Sequence, residues 1–184
     1  MKRSKLHVLV PYCALSQGVR ADTIVRHYPA VVKEVIEFFI ANNINIMQMP
    51  CPELFFDGIR RRPCGKSHYD TLYNKKICRE VATKVVDLIL LIQSGGYEVI
   101  GILGVNYSPS CAVDFIKYKR PEKIPGTGIY IEELQSVLHE HNLDIPFVGI
   151  ENYNIDNTLK QLTKLIPKSQ TRSAKKAKNI SEHY

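Results

Sequence analysis

Short apolar runs and longer amphipathic stretches alternate along the chain. The apolar runs have the length and composition of buried β-strands, and the first two end at Pro11 and Pro50. Between the runs, apolar residues recur every three or four positions, as they do on one face of an α-helix. The pattern predicts strands at 6–10, 44–49, 97–105 and 145–150, and helices at 31–40, 77–92, 131–138 and 158–166.

This order of elements predicts a single α/β domain. A strand followed by a helix, four times in succession, is typical of a mostly parallel sheet with helices on both faces. We therefore expect a Rossmann-like or flavodoxin-like fold of about four to five strands, spanning residues 1–166. Two long irregular stretches, 50–71 and 107–130, start at strand ends, and loops of this length are often functional.

Charge and composition change this picture only slightly. The formal net charge is +7, and the segment 167–184 carries +4 of it. That segment is basic and almost free of apolar residues, so we expect a disordered tail rather than a nucleic-acid-binding element. The longest apolar stretch, 85–92, is too short to cross a bilayer, and the N-terminus lacks the pattern of a signal peptide. We therefore expect a cytoplasmic protein without membrane contact.

Three of the five cysteines follow predicted strands. Cys13, Cys51 and Cys111 each lie within two residues of a proline, which stiffens the turn. Because the carboxyl ends of parallel strands share one edge of a sheet, where ligands bind, we expect the three thiols to converge there. Three thiolates can hold zinc with one open position, or three irons of a [4Fe–4S] cluster with the fourth iron free. The spacing does not choose between these two groups.

The other two cysteines are weaker candidates. Cys78 falls within a predicted helix, beside its apolar stripe, where a cysteine is commonly a small core residue. Cys64 has cationic neighbours that favour a reactive thiolate, but it does not follow a predicted strand. A phosphatase loop starting at Cys13 is excluded, because the C-x5-R pattern would need an arginine where the chain has Val19.

The segments around the three strand-end cysteines are Cys13-Ala-Leu-Ser-Gln-Gly18, Pro50-Cys-Pro-Glu53 and Ser108-Pro-Ser-Cys111. They resemble the signature segments of the 2-thiouracil desulfidase family. The sequence Gly-Thr-Gly-Ile-Tyr-Ile-Glu-Glu-Leu at 126–134 is similar to a segment of a desulfidase-related branch of small bacterial proteins. The resemblance covers about residues 6–150. It departs from the main family at Ala112, where that family has glycine.

The resemblance implies a [4Fe–4S] cluster, sensitive to air, that is held by Cys13, Cys51 and Cys111 with one iron free. In that family the free iron takes a sulfur atom from a thiocarbonyl substrate, water replaces the sulfur, and there is no net redox change. The same resemblance places Glu53 and Ser108 near the substrate. We therefore expect an iron–sulfur-dependent desulfidase that acts on a small thiolated compound resembling a thio-nucleobase.

Further residues are candidates for substrate binding. Ser110 can donate a hydrogen bond to the cluster or to the substrate. Arg60, the first of three consecutive arginines, indicates an anionic ligand, since guanidinium binds carboxylate and phosphate in bidentate fashion. Gly126, Thr127 and Gly128 precede a predicted helix whose first N–H groups can line the substrate side of the crevice. The alternative to an enzyme is a non-catalytic small-molecule-binding or regulatory domain that uses the same crevice.

Overall fold

A four-stranded parallel sheet forms the centre of the molecule. The computed structural model describes residues 3–119 and 122–167. The sheet has the order β2-β1-β3-β6, and the two remaining strands form a separate antiparallel hairpin. The strands are β1 (Leu6–Pro11), β2 (Asn45–Met49), β3 (Glu98–Val105), β4 (Phe115–Lys119), β5 (Glu122–Pro125) and β6 (Phe147–Ile150).

Helices cover both faces of this sheet, which confirms the predicted α/β class. Apolar side chains of α5 and α6 pack on one face, and those of α2 and α7 pack on the other. The helices are α1 (Tyr12–Leu15), α2 (Lys33–Ala41), α3 (Pro52–Asp57), α4 (Lys66–Tyr69), α5 (Leu72–Ser94), α6 (Ile129–Glu140) and α7 (Ile155–Leu165), with a 3₁₀ turn at Gln17–Val19.

The helix boundaries differ from the predicted ones where a polar side chain caps the helix. Helix α5 begins five residues before the predicted start, and the Thr71 hydroxyl accepts a hydrogen bond from the Asn74 N–H at 3.2 Å. Helix α7 begins three residues early, and the Asn154 side chain accepts from the Asn157 N–H. The stretches predicted as irregular contain the short helices α3 and α4 and the β4–β5 hairpin.

Two further predictions concern membrane contact and the basic tail at 167–184. Within the described residues, no helix is both long and apolar enough to span a membrane. All of the predicted tail except Pro167 lies outside those residues. Its disorder and the cytoplasmic localisation stay predictions.

Candidate functional site

The loops that follow β1, β2 and β3 surround one cavity of about 160 Å³. Cys13, Cys51 and Cys111 all line it, and so do Glu53 and Ser108. A single water needs roughly a tenth of that volume, so the cavity has room for a larger group. The convergence of the three thiols at the carboxyl edge of the sheet, which the sequence predicted, is therefore observed.

The first two cysteines are placed by short helical turns. Cys13 lies in α1, directly after β1, and its carbonyl accepts a hydrogen bond from the side-chain amide of buried Gln17. Cys51 is the residue before α3, whose first position is Pro52. Proline is favoured there because the first helical N–H has no partner within the helix. Both thiols are half-buried.

Ser108 shapes the turn that presents the third cysteine. Its hydroxyl oxygen accepts hydrogen bonds from the N–H groups of Ser110 at 3.3 Å and of Cys111 at 3.0 Å. The same hydroxyl donates to Oε1 of Glu53 at 3.4 Å. Ser108 is thus both a turn cap and a group on the cavity wall. Its predicted role beside a substrate stays a prediction.

The backbone of the Cys111 turn is tightly packed against Gly104 and Gly128. A Cβ atom on Gly104 would clash with the Cys111 carbonyl, and one on Gly128 would clash with the backbone of Ser110. The first N–H groups of α6 are already bonded, because Ile129 donates to the Pro109 carbonyl. The segment 126–128 therefore supports the turn from behind. The structure places Gly126, Thr127 and Gly128 outside the cavity lining, although the sequence predicted them as substrate-binding residues.

A buried ion pair lies against the thiols. The Nε–H of Arg61 donates to Oε2 of Glu53 at 2.8 Å, and these side chains are only 3% and 11% exposed. The Nη2 atom of Arg61 lies 3.8 Å from the Cys51 sulfur. Burial alone would lower the pKa of Arg61, but the Glu53 carboxylate and the Cys51 thiol raise it above its usual value. Arg61 therefore remains a cation that joins the carboxylate to a predicted ligand.

In the run of three arginines, Arg61 rather than Arg60 lines this cavity. Arg60 is exposed and is not among the residues that line the cavity. Both belong to the same run of three arginines, in which only the middle one is buried. The sequence therefore drew attention to the right segment, but a run of identical residues contains no signal for which member points inward. Cys64 also lines the cavity, as a fourth thiol.

Burial raises the pKa of each of the three thiols. The pKa of Cys13 rises to about 12, although Arg20 opposes the rise. The pKa of Cys51 rises through burial and the nearby Glu53 carboxylate. The pKa of Cys111 rises well above its usual value through burial and its proximity to the other two thiols. Three thiolates in this space would repel one another, so the donor set fits a positively charged metal group.

The geometry of the donors bears on the kind of metal group. Within the described residues, no three His, Cys, Asp or Glu side chains are arranged to hold one metal ion. Zinc needs all its thiolates about 2.3 Å from one ion, whereas the cysteines of a cluster bind different irons and are spaced further apart. The structure thus gives no support to the single-ion alternative. The [4Fe–4S] cluster stays a prediction, and the structure shows only that the three cysteines line one cavity.

A second cavity, of about 220 Å³, adjoins the first. Arg20, Ile24 and Tyr107 line both cavities. The second cavity has cationic, amide and aromatic side chains, and a buried Oδ1 atom of Asn152 has no hydrogen-bond partner in the described part of the chain. Its other lining residues are Arg26, His27, Asn106 and Tyr153.

Tyr107 forms the wall between the two cavities. It adopts a positive φ of 71°, which is uncommon for a residue with a large side chain. Its hydroxyl donates to Oε2 of Glu151 at 3.2 Å, and the same buried carboxylate accepts from Lys123 at 2.7 Å. Asn157 donates to the other oxygen of Glu151 at 2.9 Å. The sequence pattern pointed to none of these residues, because their proximity depends on how the hairpin meets the end of β6.

Two hydroxyl groups next to Cys111 are completely buried. The side-chain oxygens of Ser110 and Tyr130 have no hydrogen-bond partner among the described residues. Ser110 was predicted to face the cluster or the substrate, but it does not line the cavity. A buried polar group without a partner is uncommon and often marks the place of a missing water, ion or ligand.

Comparison with known proteins identifies one relative. No family model matches the chain, and no solved structure matches it significantly. An uncharacterized protein of Methanocaldococcus jannaschii is 30% identical over 112 residues, which cover 61% of this chain. The matched region spans 65% of that archaeal protein, slightly less than two thirds of its length. The resemblance to the 2-thiouracil desulfidase family therefore stays a prediction that rests on the three cysteine segments.

Proposed function

We propose that the protein is an iron–sulfur-dependent desulfidase that removes sulfur from a small thiocarbonyl compound without net redox change. The observation that carries this proposal is the convergence of Cys13, Cys51 and Cys111 on one cavity that also contains a buried carboxylate. The resemblance of the same three segments to the 2-thiouracil desulfidases supports it independently. The substrate class that the resemblance implies is a thio-nucleobase-like compound.

The three cysteines would hold a [4Fe–4S] cluster, which when bound supplies an iron with an open position for a soft sulfur atom. The raised pKa values of the free thiols mean that loading the site must release protons. Arg61 provides a fixed positive charge beside Cys51, which favours the deprotonated form of that ligand. The chain thus contributes both the ligands and part of the charge balance of the site.

Glu53 is the group that would activate water. Its two oxygens are fixed by Arg61 and Ser108, so the carboxylate has a defined orientation on the cavity wall. In the overall reaction a carbon–sulfur double bond breaks, a carbon–oxygen double bond forms from water, and the two protons of water leave with the sulfide. Glu53 accepts one of these protons as the water attacks and returns it to the leaving sulfide.

The second cavity would receive the remainder of the substrate. Tyr107 and Tyr153 provide aromatic faces for a heterocycle, and the buried Oδ1 atom of Asn152 can accept a hydrogen bond from its polar edge. The anionic ligand that the sequence suggested for Arg60 would here meet Arg20, which lines both cavities. Two cavities that share lining residues, one with the three thiols and one with polar side chains, would suit a reaction at one end of a larger molecule.

Iron content and sulfide release test the proposal together. After anaerobic reconstitution, we expect about four irons and a comparable amount of acid-labile sulfide per chain. Replacement of Cys13, Cys51 or Cys111 by serine should abolish this uptake. Cys78→Ser is the matched control, because Cys78 packs in the core among α5 residues and does not line the cavity. Full iron uptake by Cys111→Ser would contradict the assigned ligand set.

The substitution Glu53→Gln separates an enzyme from a binding domain. It keeps the size of the side chain but removes the proton acceptor, so we expect sulfide release from 2-thiouracil or a related thiocarbonyl to fall by roughly 10²- to 10⁴-fold at unchanged iron content. The measurement is the rate of sulfide production under anaerobic conditions. If the wild-type protein loads iron and binds thiocarbonyls without releasing sulfide, the non-catalytic alternative is correct.

A further inference from the structure

Tyr130 has a buried hydroxyl that finds no hydrogen-bond partner among the residues the structure describes. The residue is 0% exposed and lies in the first turn of α6. Its backbone N–H donates to the Ser110 carbonyl at 3.0 Å, which fixes the tyrosine directly behind the cysteine turn. A phenol can donate and accept hydrogen bonds, and leaving it unpaired in the core destabilises the folded state. Such a position often marks the place of a missing water, ion or ligand.

Three thiols are close enough to this phenol to influence its charge state. Tyr130 belongs to the same apolar cluster as Cys111 and Cys78. Burial, followed by the proximity of Cys111, Cys78 and Cys51, raises the pKa of Tyr130 well above its usual value, so the phenol keeps its proton. None of these thiols accepts a hydrogen bond from it, since the hydroxyl has no partner among the described residues. The hydroxyl is thus an available donor in the core cluster that also contains Cys111, although Tyr130 does not itself line the cavity.

We propose that the Tyr130 hydroxyl donates a hydrogen bond to sulfur in the metal group held by Cys13, Cys51 and Cys111, and acts as a positioning residue that tunes this group from the core side. This inference rests on the proposed function. Hydrogen bonds to the sulfurs of an iron–sulfur cluster shift its reduction potential upward, because they draw electron density from the metal. A less electron-rich iron is also a better acceptor for the sulfur atom of a substrate.

The proposed role and a purely structural role of Tyr130 predict different effects of Tyr130→Phe on the metal-free and the iron-loaded protein. In metal-free protein the hydroxyl has no partner among the described residues, so we expect Tyr130→Phe to leave the unfolding temperature equal to that of the wild type or to raise it. In iron-loaded protein the same variant should lose iron to a chelator several-fold faster and should have a more negative reduction potential. A tyrosine that only fills the core would change both forms in the same direction.

Two further measurements identify the acceptor. In the loaded wild-type protein, exchange into D₂O should shift the iron–sulfur stretching bands in the resonance Raman spectrum, and this shift should be smaller in Tyr130→Phe. Cys78→Val removes the one neighbouring thiol that is not a predicted ligand, and it should leave the deuterium shift in place. If Cys78→Val abolishes the shift instead, the phenol serves the core thiol and the inference is wrong.

The outcomes separate this inference from the proposed function. A Tyr130→Phe variant with wild-type potential, iron release and deuterium shift would overturn the inference, while four irons per chain and sulfide release would still support the desulfidase. A wild-type protein that takes up no iron would overturn both. Metal-free Tyr130→Phe that unfolds well below the wild-type temperature would show that the hydroxyl already has a partner in the protein, which also contradicts the inference.

Discussion

The two adjoining cavities differ in whether every buried polar side chain on their walls has a hydrogen-bond partner. In the thiol cavity the polar groups are bonded to one another, since Arg61 joins Glu53 to Cys51 and Ser108 joins Glu53 to the Cys111 turn. In the second cavity the buried Oδ1 atom of Asn152 has no partner among the described residues. A site whose members fix one another is suited to hold a cofactor and orient a reaction. An unsatisfied polar atom in the second cavity is a place where a bound molecule could form a hydrogen bond.

The largest expected effect comes from breaking the thiol cavity at Arg61. Arg61→Ala removes the cation and leaves Glu53 buried without its partner, which typically costs about 3–5 kcal/mol of folding free energy. Arg60→Ala is the matched control, because Arg60 is the exposed neighbour and its loss should change stability by no more than about 0.5 kcal/mol. Denaturant unfolding of the metal-free variants measures both values.

The same pair of variants tests the interdependence of the groups in the thiol cavity. If Arg61 and Glu53 stabilise each other, adding Glu53→Gln to Arg61→Ala should recover part of the lost free energy of unfolding, because it removes the uncompensated charge. Equal stabilities for Arg61→Ala and Arg60→Ala would mean that the ion pair contributes nothing. The contrast between the two cavities would then have no energetic basis.

A smaller effect is expected at Gly128, which packs against the turn that carries Cys111. Gly128→Ala places a methyl group against the backbone of Ser110 and Cys111, and such overpacking typically costs about 1–3 kcal/mol. Gly18→Ala is the control, because Gly18 is exposed and its nearest neighbour, the Ser16 hydroxyl, lies 4.0 Å from the added carbon. We also expect Gly128→Ala to weaken iron retention, because the turn that carries Cys111 must move. Unchanged thermal stability and iron retention in Gly128→Ala would show that the turn tolerates displacement.

The fold and the convergence of the cysteines could be predicted because they depend on local patterns. Apolar periodicity sets the order of strands and helices, and a parallel sheet necessarily brings the ends of its strands to one edge. Cys13, Cys51 and Cys111 could therefore be grouped without coordinates. Glu53 could be proposed as a site residue because it lies close to Cys51 in the sequence and because the family resemblance includes it.

The remaining features of the site depend on contacts between distant segments. Nothing local distinguishes Arg61 from Arg60, and only the path of the loop between α3 and α4 turns one inward. Gly128 resembled a helix N-terminus that was free to bind a ligand, but the Cys111 turn is packed against it. The second cavity combines residues from the loops after β1, β3 and β6, so no single motif could show it.

The smallest expected effect, and the one that tests the second cavity, comes from two asparagines. Asn152→Ala removes a buried oxygen that has no partner among the described residues, so the free energy of unfolding should not fall. The KM for a thiocarbonyl substrate should rise by about two- to tenfold, which corresponds to the loss of one hydrogen bond. Asn157→Ala is the matched control, because Asn157 is already bonded to Glu151. That variant should lose about 1 kcal/mol of stability and keep its KM. Anaerobic kinetics with both variants at equal iron content measure the difference, and a reversed pattern would mean that Asn152 is structural and that the substrate does not enter this cavity.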